Sequence, residues 1–480
     1  MIQLNRAELR DKIYACWLGK NIGGTLGTPF EGKQQCQDIS GFNSPPGNPL
    51  PNDDLDLQLV WLKALMENGP QKLNEHILGE YWLEYISPYW NEYGVGKGNM
   101  VRGLVPPLSG EYNNSMWKNS NGAWIRTEVW ACLNPCLIDE TMRFGYMDAC
   151  VDHGLSEGTY ATIFVAALES AAFIVSDIKR LIEIGLSNIP EDCRTHRFIQ
   201  MAVDAYKTGK TWKEAREEVT QASLADPELG WFQAPANVAY AIIGLLYGEG
   251  DFKKTLILAV NCGDDTDCTA ATAGAVLGIM HGTKIIPEDW QEYIGDNIVT
   301  VAINRGEIPT VPKSCTELTD TILSMHPVML TGKAVRIVET ATEFSREDTE
   351  KFYATAFKAE LAKRAPYSFV MSFPLTTVQV AYDRAPEIQP GGEIGITVTV
   401  KNNFRSPKHL NLRFILPEGW SVSGGTKNMV IVDRYQKREG TSTSFTLTAG
   451  ETVQAKNRVI LEISCEGHPD VALIPMTFLG

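Results

Sequence analysis

The sequence feature that most constrains the fold is a change in hydrophobic periodicity near residue 366. Before it, segments such as 159–175 are rich in alanine and apolar nearly all round, which is typical of helices buried among other helices. The charged segment 345–364 predicts a solvated closing helix. After it, residues 394–400 alternate apolar and polar side chains between Gly-rich turns. The sequence therefore predicts a mainly α protein, with a helical domain over residues 1–365 and a small antiparallel, Ig-like β-sandwich over residues 366–480.

Charge and composition exclude several classes of function. The chain has 43 basic and 58 acidic residues and a net charge of −15, which repels phosphate backbones, so we expect no nucleic-acid partner. The sequence has no apolar run of about 18 residues, so we expect no membrane span. Its first residues include no apolar segment typical of a secretory signal. The ten cysteines are scattered without a Cys-x-x-Cys motif, which predicts reduced, mostly buried thiols and a cytoplasmic location.

Two similar acidic clusters lie 211 residues apart (264 − 53), each reading Asp-Asp-x-Asp at the start of a predicted helix. The first aspartate cluster consists of Asn52, Asp53, Asp54 and Asp56, and the second of Gly263, Asp264, Asp265 and Asp267. Helix capping and the helix dipole explain acidic residues in a first turn. Three carboxylates within four residues, twice, repel one another unless a cation neutralises them. Hard oxygen ligands indicate Mg²⁺, with Mn²⁺ or Ca²⁺ as alternatives, in a site for one or two ions.

The helix predicted after the second aspartate cluster is built from small residues. Gly274 and Gly278 lie four residues apart among alanines. Small side chains let another helix backbone approach closely, and this helix is too short to span a membrane. We therefore expect tight helix packing behind the cation site.

Four motifs in order resemble the ADP-ribosylglycohydrolase family over roughly residues 10–300. They are Gly27-Thr28-Pro29-Phe30-Glu31, Asn52-Asp53-Asp54, Asn121-Gly122-Ala123-Trp124-Ile125-Arg126, and Gly263-Asp264-Asp265-Thr266-Asp267-Cys268. The resemblance implies an all-α fold with a two-Mg²⁺ centre between the aspartate motifs. It also implies hydrolysis at C1″ of the ribose of an ADP-ribosyl group.

Residue roles carried over from this resemblance cover three groups. The implied metal ligands are Asn52, Asp53, Asp54, Asp265 and Asp267. For catalysis, the resemblance places Glu31 near the ribose as a gating or acid/base group. Any carboxylate that a metal does not fully occupy could also take the proton from water, so Asp54, Asp264 and Asp56 are equal candidates; Asp56 and Asp264 can equally be helix N-terminal acids. The implied substrate-binding residues are Asn121, Gly122, Asp152, His153 and Gly263. Asn52 and Cys268 depart from the family pattern, and a thiol is a poor Mg²⁺ ligand.

The predicted function is a Mg²⁺-dependent hydrolase acting on glycosyl bonds. It would cleave an N- or O-glycosidic bond at the ribose of an ADP-ribosylated or related nucleoside-like conjugate, of a small molecule or a protein. A prenyl-diphosphate synthase would need Asp-Asp-x-x-Asp, but Leu57 and Cys268 stand at the fifth positions. The remaining alternative is a non-catalytic ADP-ribose-binding or scaffold protein that retains the fold, which the departures at Asn52 and Cys268 favour.

Overall fold

The chain forms two compact units in a computed structural model. The structure describes residues 1–303, 306, 308, 310–433 and 440–480. One unit comprises residues 1–95 and 113–362, and the other comprises residues 96–112 and 363–480. The change in periodicity near residue 366 thus coincides with the change from helices to strands, and the mainly α fold class is confirmed. The association of residues 96–112 with the strand-rich unit has no signal in the sequence.

Helices make up most of the first unit, and side-chain caps start several of them. Thr211 and Glu214 form a reciprocal capping box, for example, which satisfies two backbone N–H groups. None of the described helices is both long and apolar enough to cross a membrane. The α-helices are α1 Arg6–Gly27, α2 Asp53–Asn68, α3 Glu75–Tyr85, α4 Asn91–Val101, α5 Leu108–Glu111, α6 Glu128–Leu133, α7 Ile138–Ala149, α8 Glu157–Ala172, α9 Ile178–Ser187, α10 Arg194–Lys207, α11 Trp212–Ala225, α12 Ala234–Gly248, α13 Phe252–Asn261, α14 Thr266–His281, α15 Glu288–Ile294, α16 Cys315–Met329, α17 Arg346–Tyr353 and α18 Phe357–Leu361.

Helices α1 and α14 pack backbone against backbone. A Cβ atom on Gly23 would lie 2.2 Å from the carbonyl oxygen of Ala270, and one on Gly274 would lie 2.3 Å from that of Gly19. The paired residues run in opposite directions, so the two helices are antiparallel. Gly278 makes an equally close contact, which confirms the predicted tight packing. This contact brings the end of α1 beside the start of α14.

The segment 345–364 differs from the single closing helix that its charge pattern predicts. It forms the two short helices α17 and α18. The Asp139 carboxylate accepts hydrogen bonds from the backbone N–H groups of Ala356 at 3.0 Å and Phe357 at 3.2 Å. Because these bonds satisfy free N–H groups, they start a second helix at this point. The prediction of one helix was wrong because a distant side chain supplies the cap.

The second unit contains two antiparallel sheets, with strand orders β11-β10-β6-β8 and β3-β4-β5-β9-β7. In β5, Ile394, Ile396, Val398 and Val400 are each 1% exposed, as their alternation predicts. In the first unit, β1 and β2 form a parallel pair that the sequence did not indicate. The strands are β1 Ile2–Asn5, β2 Val335–Val338, β3 Ser368–Ser372, β4 Thr376–Tyr382, β5 Glu393–Asn402, β6 Lys408–Ile415, β7 Ser421–Val422, β8 Lys427–Val432, β9 Thr441–Thr448, β10 Lys456–Cys465 and β11 Val471–Leu479.

Candidate active site

The two aspartate clusters meet beside one cavity of about 680 Å³. The first cluster occupies the N-terminus of α2, and the second occupies the N-terminus of α14. The side-chain amide of Asn52 donates a hydrogen bond of 3.1 Å to Asp267 Oδ2. The Cys268 thiol donates to Asp54 Oδ1 across 3.3 Å. Residues 214 and 215 positions apart in sequence are therefore in direct contact.

The second cluster presents carboxylate oxygens that no protein group satisfies. Asp265 Oδ2 accepts a hydrogen bond of 2.6 Å from the Asn121 amide. The Oδ1 atoms of Asp265 and Asp267 are buried without a hydrogen-bond partner. One ligand atom from each of Glu31, Asp265 and Asp267 lies within 4.8 Å of the others. Buried acceptors left unpaired cost free energy, and oxygen atoms so grouped fit a hard divalent cation.

The first cluster has a cation of its own. The Lys20 ammonium is buried, lies 3.6 Å from Asp54 Oδ2, and donates to Glu128 Oε1 at 2.7 Å. Asp53 Oδ2 accepts a hydrogen bond of 2.8 Å from the Tyr93 hydroxyl. The negative charge of this cluster is thus partly compensated by the protein itself.

Burial and mutual repulsion raise the pKa values of the carboxyl groups around the cavity. Burial, followed by the charge of Glu31, raises the pKa of Asp267 to about 7. The pKa of Glu31 is also raised to about 7, by desolvation from the surrounding protein and then by the charges of Asp53 and Asp54, although its side chain is exposed at the cavity. Burial raises the pKa of Asp265 in the same direction. Because a cation would favour the charged forms, these carboxyl groups fit a metal centre.

One carboxylate of each cluster supports the protein backbone. Asp56 Oδ2 accepts 2.6 Å hydrogen bonds from the N–H groups of Val301 and Ala302. Asp264, at φ +65°, accepts a 3.3 Å hydrogen bond at Oδ1 from the backbone N–H of Phe232 and a 3.0 Å bond at Oδ2 from the Asn237 amide. Neither carboxylate is among the described residues that line the cavity.

The turn that carries Glu31 is fixed to the second cluster by its backbone. The N–H of Gly32 donates to the carbonyl of Asp264, and the N–H of Asp264 donates to the carbonyl of Lys33, each at 2.9 Å. Gly263 has φ +81°, and a Cβ on it would lie 2.5 Å from the Gln35 carbonyl oxygen. Gly263 therefore holds this turn and is not among the described lining residues of the cavity.

The predicted substrate-binding residues divide between the cavity wall and a layer behind it. Asn121 and Gly122 line the cavity, and a Cβ on Gly122 would lie 2.1 Å from Glu92 Oε1. Asp152 and His153 are fully buried outside the lining and contact each other at 2.9 Å.

The layer behind the wall carries its own positive charge. Arg126 Nη2 donates to Asp152 Oδ1 at 2.8 Å, and His153 Nε2 lies 3.4 Å from Ser120 Oγ. Glu92, Asp152 and His153 could group around a metal ion, but the Arg126 guanidinium already balances a carboxylate there. These residues therefore support the wall formed by residues 120–122.

A family model for ADP-ribosylglycohydrolase matches residues 5–322, which is more than half of the chain. The chain belongs to the ADP-ribosylglycohydrolase family. The predicted family resemblance is thereby confirmed, and the aspartate clusters and Glu31 lie inside the matched region.

Relatives of this ADP-ribosylglycohydrolase family member are distant. The ADP-ribosylarginine hydrolase Tri1 of Pseudomonas putida is 33% identical over 54 residues, which are 11% of this chain and 15% of that protein. An uncharacterized protein of Archaeoglobus fulgidus is 22% identical over 307 residues, covering 60% of this chain and 93% of the other. A solved ADP-ribosylglycohydrolase-related protein complex has 20% identity and a TM-score of 0.47, covering 67% of this chain and 99% of that one.

Several residues of the site have no strong signal in the sequence. Glu92, Tyr93 and Phe232 line the cavity, and Lys20 lies behind Asp54. Lys20 alone had a usable signal, since it interrupts a run of small and apolar residues in the first helix of this family member. The others could not be assigned, because they come from loops or helix starts whose position depends on the complete fold.

Proposed function

We propose that this chain is a Mg²⁺-dependent glycohydrolase. It would cleave an N- or O-glycosidic bond at the ribose of an ADP-ribosylated or related nucleoside-like substrate. The observation that supports this most is the group of unpartnered oxygens on Asp265 and Asp267 beside Glu31, at a cavity of about 680 Å³. A cavity of this size suits a small-molecule ligand.

The proposed site holds one or two ions. Its ligands are the four carboxylates, two from each cluster, that do not support the backbone. They are Asp53, Asp54, Asp265 and Asp267. Asn52, predicted as a further ligand, uses its amide oxygen to cap α2 at Asp54 N and its amide N–H to orient Asp267. When bound, Mg²⁺ would supply Lewis-acid polarisation and orient substrate hydroxyls; Mn²⁺ would act in the same way.

Glu31 is the proposed proton-transfer group. It lines the cavity, and its raised pKa of about 7 lets it accept and return a proton near neutral pH. In this step water loses a proton to Glu31, its oxygen bonds to the ribose carbon, and the glycosidic bond breaks. The leaving atom takes up a proton, so the reaction consumes one water. Asp54 and Asp264, also predicted as catalytic, are held by Lys20 and Asn237.

Other wall residues would position the sugar and stabilise its positive charge. Cleavage passes through an oxocarbenium-like state, which nearby carboxylates such as Asp53 stabilise. Asn121 and Gly122 line the cavity, and the Asn121 amide donates to Asp265 Oδ2 and accepts from Trp124 Nε1, so it would orient that carboxylate. Tyr89 and Trp90, which are 66% and 48% exposed, offer faces for stacking a base or sugar.

The charge of the cavity supports a cationic or neutral leaving group. Its described lining residues include five acids and neither lysine nor arginine. A guanidinium leaving group would suit this field, and the Pseudomonas relative is named as an ADP-ribosylarginine hydrolase. We propose ADP-ribosyl conjugates as partners in preference to nucleic acid. A cytoplasmic location is supported by the ten free cysteines, nine of them buried.

The test is release of ADP-ribose from arginine-linked and serine-linked conjugates, followed by mass spectrometry with and without Mg²⁺. We expect Mg²⁺-dependent release that Glu31→Gln lowers at least about 100-fold. Glu288→Gln, at an exposed position of α15, is the matched control and should retain wild-type rates. Absence of release from both conjugates with Mg²⁺ or Mn²⁺ would refute the proposed function.

The alternative is a non-catalytic ADP-ribose-binding protein, and two contacts favour it. The Cys268 thiol and the Asn52 amide donate to Asp54 and Asp267, so they occupy oxygens that an ion would use. ADP-ribose binding without turnover, unchanged by Asp54→Ala, would support this alternative. Mg²⁺-dependent turnover that Asp54→Ala abolishes would reject it.

A further inference from the structure

We propose that Asp54, Asp267 and Cys268 form a mixed carboxylate–thiolate site that selects a zinc-type ion over Mg²⁺. The chemistry of this site differs from that of the oxygens of Asp265 and Asp267 beside Glu31, where all the candidate ligands are carboxylates. This inference rests on the proposed function in one respect, since it assigns the second ion of that same centre. It names Zn²⁺ as the ion, with Co²⁺ as its spectroscopic probe.

The geometry of the three ligands supports coordination to one ion. One ligand atom from each of Asp54, Asp267 and Cys268 lies within 4.8 Å of the others. The Cys268 sulfur lies 3.3 Å from Asp54 Oδ1. Two ligands about 2.0–2.3 Å from a tetrahedral ion lie roughly 3.5 Å apart, so this pair needs little movement. Asp267 and Cys268 also line the cavity, which gives an ion a path of entry.

The two carboxylates provide a second observation that points to an ion at this position. Asp54 is 1% exposed and Asp267 is 5% exposed. Asp54 Oδ2 and Asp267 Oδ1 are buried without a hydrogen-bond partner. Lys20 Nζ lies 3.6 Å from Asp54 Oδ2, a distance at which the two charges attract but do not form a hydrogen bond. Two buried, unpartnered oxygens beside a thiol fit a bound ion better than a packed cysteine does.

The ligand types set the preference between ions. Thiolate ligands select Zn²⁺ and similar ions, whereas Mg²⁺ is held by carboxylate, carbonyl and water oxygens. Binding replaces the S–H bond of Cys268 by a sulfur–metal bond, and the proton leaves to solvent. The Lys20 ammonium then offsets part of the negative charge that the two carboxylates and the thiolate bring. Asp267 belongs to both groups, so the two ions would share this ligand.

The experiment titrates Co²⁺ into the chelator-treated, full-length chain and records the near-ultraviolet charge-transfer band from thiolate sulfur to cobalt. We expect a band that saturates at one equivalent, is lost in Cys268→Ser, and is removed by Zn²⁺ but not by Mg²⁺. Zn²⁺ affinity should fall at least about 10-fold in Cys268→Ser, while Mg²⁺ affinity stays unchanged. Cys36→Ser is the control, because Cys36 is the exposed thiol and should not contribute to the band.

Three results would overturn the inference. They are no band in the wild-type chain, a band that survives Cys268→Ser, or a band that Mg²⁺ displaces as readily as Zn²⁺. Circular dichroism checks that Cys268→Ser is folded, and Cys268→Thr serves as a second variant with the same expected loss. Mg²⁺-dependent turnover without a cobalt band would refute this inference and leave the proposed function standing. A band without any turnover would support this inference and refute the glycohydrolase.

Discussion

The two aspartate clusters have similar sequences, but the protein treats them differently. In the first cluster, Asp54 faces the buried Lys20 ammonium at 3.6 Å and Asp56 accepts two backbone N–H groups. In the second cluster, Asp265 and Asp267 each keep a buried Oδ1 atom without a hydrogen-bond partner, and the amides of Asn121 and Asn52 donate to their Oδ2 atoms. The first cluster is partly neutralised by the protein itself, whereas among the described residues no lysine or arginine forms an ion pair with Asp265 or Asp267.

Within each cluster, one aspartate stabilises the fold and the other aspartates are placed where they could take part in chemistry. Each cluster has one aspartate that accepts hydrogen bonds from backbone N–H groups, Asp56 from Val301 and Ala302 and Asp264 from Phe232. The other carboxylates face the opposite cluster or the cavity, where they repel one another. Repetition of an Asp-Asp-x-Asp pattern therefore does not mean that all its members have the same role.

Removal of the buried Lys20 ammonium should have the largest effect on stability. Lys20→Met leaves the buried carboxylates of Asp54 and Glu128 without their partner, which should lower the free energy of unfolding by about 3–5 kcal/mol. Urea denaturation measures this change. Lys63→Met removes an exposed pair with Glu67 and should cost about 1 kcal/mol or less. Equal effects of the two substitutions would show that Lys20 does not compensate the first cluster.

Removal of a charge from the second cluster should affect metal binding more than stability. Asp267→Asn removes the negative charge of the residue that both ligand groups share, so Mg²⁺ affinity should fall at least about 100-fold. Isothermal titration calorimetry measures this affinity. Asp289→Asn, at an exposed position of α15, should bind Mg²⁺ as the wild type does. Unchanged affinity in Asp267→Asn would contradict the distinction between the clusters.

A larger side chain at the close α1–α14 contact should push the two clusters apart and should lower stability less than Lys20→Met does. A methyl group at Gly23 would meet the Ala270 carbonyl at 2.2 Å, so Gly23→Ala should cost about 1–3 kcal/mol and weaken Mg²⁺ binding. Gly41→Ala, with no atom within 4 Å, is the matched control. Thermal unfolding in both variants measures the difference. Full stability of Gly23→Ala would mean that the close α1–α14 contact does not set the position of the clusters.

The smallest expected effect is a pH dependence that Mg²⁺ removes. The pKa values of Glu31 and Asp267 are raised to about 7, so the folded protein binds more protons than the unfolded chain between about pH 4.5 and 7. Stability without metal should therefore fall slightly as pH rises through this range, because solvent screens the exposed Glu31 carboxylate and the two neighbouring groups do not titrate independently. Saturating Mg²⁺ should abolish the fall. Stability that rises with pH without metal would contradict this account.

Much of the fold could be predicted because periodicity and motifs are local properties. The alternation in β5 and the alanine-rich segment in α8 both form the expected elements. The meeting of the clusters followed from the family resemblance and from the small residues of α14. The break at Ala356 could not be predicted, because its cap comes from Asp139 more than 200 residues away. The division of roles within each cluster needed the positions of Val301 and Asn237, which only the folded chain provides.

The measurement that tests the central claim most directly is anomalous diffraction from crystals soaked in Mn²⁺. The account predicts a peak bonded to the carboxylates of Asp265 and Asp267, between the two aspartate clusters. A peak at Glu92, Asp152 and His153, the other cluster with metal-ligand spacing, would contradict it. Absence of any peak at millimolar Mn²⁺ would likewise contradict a divalent-metal centre in this protein.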